Sequence, residues 1–63
     1  MAVFSRDVRN DDGEDLAKVT ADRVAGTDIV NFEMPEFGAM LTAGEAERLA
    51  AALLAAVAVL KGR

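Results

Sequence analysis

Hydrophobic and polar positions alternate through the first half of the chain and then give way to an almost unbroken apolar run. In Val3-Phe4-Ser5-Arg6-Asp7-Val8-Arg9 the alternation puts Phe4, Arg6 and Val8 on one face of a strand and Val3, Ser5 and Asp7 on the other. Ile29-Val30-Asn31-Phe32-Glu33-Met34 alternates more cleanly, with Val30, Phe32 and Met34 together on one side. Residues 16–25 carry two patterns. As a strand, Ala17, Val19 and Ala21 face in while Lys18, Thr20 and Asp22 face out. As a helix, Asp11 or Asp12 would cap it, Glu14 and Asp15 would sit at its positive end and Gly26 would end it. Its stripe of Leu16, Val19, Thr20, Arg23 and Val24 is thin, because Thr20 and Arg23 are polar. The strand is favoured, since a hairpin of 3–9 with 16–24 then needs only the polar turn from Asn10 to Asp15.

Gly26-Thr27-Asp28 reads as the next turn and Pro35-Glu36-Phe37-Gly38 as a third, after which Ala39-Met40-Leu41 can return as a short strand. A helix follows over 43–61. Thr42 is its N-cap, and Glu45 stands three residues on, the capping-box spacing. Glu47 near the start and Lys61 near the end suit the helix dipole. The expected fold is α+β: a small antiparallel meander of three or four strands followed by one C-terminal α-helix. It forms a single small domain, 1–63, with sheet in 1–41 and helix in 43–61.

The twelve residues Leu49 to Leu60 contain no polar side chain. At helical spacing Ala46, Leu49, Ala50, Leu53, Ala56, Val57 and Leu60 form the stripe expected to face the sheet. The other side still carries Ala51, Leu54, Ala55, Ala58 and Val59 with no charge among them. Exposed Ala is a good helix former and needs no further role. Leu54 and Val59 extend the Ala surface, however, and a helix–helix contact is expected through those five residues.

Size sharpens that expectation. A chain of 63 residues builds a marginal core, and small domains draw on disulfides, metals or oligomerisation. With no Cys and no His, disulfides, thiolate sites and the commonest zinc ligands are excluded. Oligomerisation is the support left, with an unusually good single core as the alternative, and a homodimer is expected. The formal charge is −4, and the basic residues Arg6, Arg9, Lys18 and Arg23 are scattered among nine acids in residues 1–42. No cluster of the kind that displaces counterions from nucleic acid is present.

The opening Met-Ala-Val-Phe-Ser-Arg-Asp lacks the layout of a signal peptide. The apolar run is shorter than the roughly 18–20 residues of a membrane span. A cytoplasmic location without membrane contact is the expectation.

Candidate chemistry is sparse. In an EF-hand register, Gly13 at the sixth position puts Val8 first and Val19 twelfth, so both ligand positions fail. Asn10 to Asp15 therefore reads as a solvated turn. There is no His, Cys or Tyr, the sole Ser is Ser5, and no Gly-rich phosphate loop occurs. No catalytic, cofactor-binding or metal-binding residue is expected. A ribbon–helix–helix regulator fits poorly, because the strand-like 29–34 intervenes between its two would-be helices.

The segment Leu41-Thr42-x-x-Glu45-Ala46-x-x-Leu49-Ala50-x-x-Leu53 resembles a pattern of short uncharacterised proteins of actinobacteria and their phages. The resemblance covers about a third of the chain. It implies a small sheet preceding the helix, and a phage origin would imply an accessory protein that binds a host or phage protein. The functional expectation is a non-enzymatic interaction module, self-associating through its helix. The alternatives are a small acidic inhibitor or antitoxin-like protein whose helix a different partner covers, and a regulator of nucleic-acid function.

Overall fold

The structure, a computed structural model, describes residues 2–34 and 40–62. Three strands, β1 (Ala2–Arg9), β2 (Asp15–Val24) and β3 (Thr27–Glu33), form one antiparallel sheet with β2 in the middle, and a single helix, α1 (Ala43–Lys61), follows. The ambiguous segment is thus a strand, and the hairpin between the first two strands forms. Met40 and Leu41 belong to no strand. The turn expected at 35–38, and Ala39 of the expected fourth strand, lie outside the described residues.

Each hairpin is set by its turn. Between β1 and β2, Asn10 Oδ1 accepts from the Asp12 and Glu14 amides at 2.9 and 2.8 Å, and the Gly13 amide donates to the Asn10 carbonyl at 3.0 Å. Gly13 adopts φ 86°, the left-handed conformation that closes a type I turn with a glycine bulge. Between β2 and β3 the turn is Ala25-Gly26, with φ 52° and 81°. Val24 pairs with Thr27 across it. The turn therefore sits one residue earlier than the glycine suggests, and Thr27 and Asp28 are already in the strand. Two consecutive positive φ values match the twist of the flanking strands, which is why this hairpin accepts an alanine where glycine or asparagine is usual.

Register decides the faces. Phe4 pairs with Ala21, Arg6 with Val19 and Val8 with Ala17, while Val30 and Phe32 oppose Ala21 and Val19. All of these lie on the side that α1 covers. The other side carries Ser5, Asp7, Lys18, Thr20, Asn31 and Glu33, with Lys18 opposite both Asp7 and Glu33. A sheet with one apolar face and one mostly polar face, on which Val24 and Ile29 stand near the β2–β3 turn, needs a single cover. Arg6 keeps its place on the apolar side at the sheet edge by laying its guanidinium over the Phe4 ring, 5.4 Å from the centroid.

The core consists of Val8, Ala17, Val19, Ala21, Ala52, Ala56 and Leu60, with Phe4, Leu16, Val30, Met34, Leu49 and Leu53 packed around it. Alanines on β2 face alanines on α1, so helix and sheet approach closely. That close seam rotates the helix away from the expected stripe. Ala52 is fully buried, whereas Ala46 and Ala50 are exposed and Val57 keeps 38% of its surface. Among the described residues no helix is long and apolar enough to cross a membrane.

Candidate interaction surface

The helix is fastened to the sheet at both ends by polar contacts. The capping box forms: the Glu45 amide donates to Thr42 Oγ1 at 3.1 Å, and the Thr42 amide donates to Glu45 Oε1 at 3.0 Å. The second oxygen of Glu45 accepts from the Asp11 amide at 2.9 Å. Asp11 returns the contact. Its carboxylate accepts from Thr42 Oγ1 at 2.8 Å and from Arg48 Nη2 at 2.7 Å, while Arg48 Nε donates to the Arg9 carbonyl at 3.0 Å. At the other end Arg23 pairs with Asp28 at 2.6 Å and donates to the Leu60 carbonyl at 3.3 Å.

The acidic turn is therefore more than a solvated loop, because Asp11 is a ligand of the helix N-terminus. Hydrogen bonds from Arg48 and Thr42 hold the Asp11 carboxyl below its ordinary range. The backbone amides of Thr42 and Asp11 do the same for Glu45. Asp15 is paired with Arg9 at 2.7 Å. Carboxylates held in the charged form are poor proton donors near neutrality, so this network builds structure and offers no acid. Among the described residues no group of three or more Asp or Glu is arranged to hold a metal ion.

Chemistry of another kind is presented by the side of α1 that the sheet leaves bare. The helix lies mainly over β1 and β2 and reaches β3 least. Arg48 marks the flank turned to β1. At 100° per residue the opposite flank, carrying Ala50 and Val57, turns toward β3. There Phe32, opposite the fully buried Val19, remains 54% exposed.

The five residues expected in a helix contact do not all share one face. Ala51, Leu54 and Ala58 lie together on the outer side, and Leu54 is 69% exposed. Ala55 is half-buried, and Val59, exposed to the same degree as Val57, lies with it on the flank toward β1. Ala50 and Val57, which the pattern assigns to the sheet, join Leu54 instead. The sequence signal for them is the 3-4-3-4 spacing of Glu47, Ala50, Leu54, Val57 and Lys61, which keeps these positions on one face of the helix. No protein-family model, characterised protein or solved structure shows significant similarity to the chain.

Proposed function

We propose that this chain is a small non-enzymatic protein-interaction module that self-associates through the outer face of α1. The observation that carries the reading is the apolar surface at Leu54, continuous along the helix with the exposed Ala50, Ala51, Val57 and Ala58. Contiguous apolar surface of this kind marks interaction sites rather than ordinary solvent-facing helix.

Size supports the same reading. The chain exposes 4516 Å², whereas a compact monomer of 6.6 kDa exposes about 3,900 Å². Its radius of gyration is 12.2 Å against about 10.6 Å for a compact domain of this length.

Thermal melting at a series of protein concentrations tests the proposal. Folding linked to association raises the melting temperature with concentration. A melting temperature constant over a hundredfold range of concentration contradicts self-association. Aggregation of the isolated chain, relieved by a protein from its host, favours a different partner on the same face.

A further inference from the structure

Glu47 and Lys61 stand seven residues to either side of Leu54. All three are exposed, as are Ala50, Ala51, Val57 and Ala58 between them. At 100° per residue these seven positions fall within about a third of the helix circumference. Leu54 is the most exposed large apolar side chain in α1, at 69%. The seam thus has a large apolar residue at its centre, small or β-branched apolar residues around it, and one charge of each sign at its ends. That layout is its own complement when reversed.

Resting on the proposal of self-association, we infer that α1 seats a second copy of this chain antiparallel to itself, with the two-fold axis passing at Leu54. In that register Leu54 meets the partner's Leu54, and the partner's Ala58 seats between Ala50 and Ala51. Glu47 meets the partner's Lys61 at both ends, roughly 10 Å from the axis at 1.5 Å rise per residue. The small residues flanking Leu54 leave space beside it for the partner's Leu54. A two-fold contact is isologous, so one stripe satisfies both copies.

The charges select the orientation. A parallel pair in the same seam would set Glu47 against Glu47 and Lys61 against Lys61, two repulsive contacts in place of two attractive ones. They also fit the occupant: Glu47 and Lys61 make the stripe complementary to its own reversal, so a second copy matches it at both ends despite the net charge of −4. Antiparallel pairing also opposes the two helix dipoles favourably.

Charge exchange tests the register. Glu47→Lys and Lys61→Glu are each expected to weaken homodimerisation by about three- to tenfold, the scale of exposed ion pairs made repulsive. An equimolar mixture of the two variants should form the mixed dimer in preference to either homodimer, because both of its end contacts become attractive. The double variant Glu47→Lys/Lys61→Glu should recover the affinity of the unmodified chain. Circular dichroism of each variant separates loss of helix from loss of contact.

A second readout does not depend on affinity. The chain has no cysteine. Mixed Ala50→Cys and Ala58→Cys chains should form an intermolecular disulfide faster than either alone. A dimer indifferent to both charge exchanges, with no preference in the mixture and no 50–58 cross-link, overturns the antiparallel register while leaving self-association standing. An unmodified chain that is monomeric overturns both.

Discussion

Asp11 and Arg48 are 37 positions apart in the chain, yet an Asp11 carboxylate oxygen lies 2.7 Å from Arg48 Nη2. That contact joins the β1–β2 turn to the first turns of α1, and Thr42 and Glu45 complete it. Asp11→Asn should lower the melting temperature by several degrees, while Asp12→Asn in the same turn should leave it nearly unchanged. Equal effects of the two substitutions would show that turn charge in general, rather than the Asp11 contact, matters.

Thr42→Ala removes both the acceptor for the Glu45 amide and the hydroxyl that donates to Asp11. Loss of an N-cap costs about 0.5–2 kcal/mol, and the second contact places this substitution in the upper half of that range. Urea unfolding measures it. A change below the lower bound contradicts the cap.

Stability should fall in acid. The folded-state values of Asp11 and Glu45 are both depressed, so the unfolded chain binds protons more readily as pH drops. Their contribution is complete above the unfolded values of about 3.9 and 4.3 and is lost as pH falls through the lower folded values. Melting temperature recorded between pH 7 and pH 2 should decline below about pH 5. The decline should be shallower in Asp11→Asn, and an identical slope in the two chains contradicts the assignment.

How much of this could be read in the sequence depends on whether the signal was local. Thr42 and Glu45 announce the cap because the motif lies within four residues. β2 is legible because Ala17, Val19 and Ala21 alternate with polar neighbours. The Ala25-Gly26 turn is obscured, because alanine is an unfavourable residue at φ 52° and nothing in the sequence marks it. The rotation of α1 is obscured for a different reason. Counting Leu and Val places the seam on the larger side chains, whereas close approach to β2 selects Ala52 and Ala56, which are fully buried. Asp11 reads as a turn residue because its partners, Thr42 and Arg48, are distant in sequence.

Two substitutions follow from those obscured features. Ala25→Gly should stabilise the protein by about 1 kcal/mol, since a left-handed alanine costs roughly 1–2 kcal/mol and glycine recovers part of it. A neutral or destabilising result would mean that the hairpin does not hold Ala25 at positive φ. Ala56→Leu should destabilise by about 1–3 kcal/mol, because extra methylenes must be forced between α1 and β2. If it is neutral, the helix does not pack as closely on the sheet as the buried alanines require.

Self-association through the outer face of α1 is the central claim, and sedimentation equilibrium of the unmodified chain beside Leu54→Glu tests it most directly. Leu54 is largely exposed in the single chain, so the substitution leaves the monomer fold intact and acts only on what covers that face. At tens of micromolar the unmodified chain should sediment at twice the mass of one copy and Leu54→Glu at the mass of one, with matching circular dichroism. A well-folded unmodified chain sedimenting as a single copy at that concentration contradicts the account.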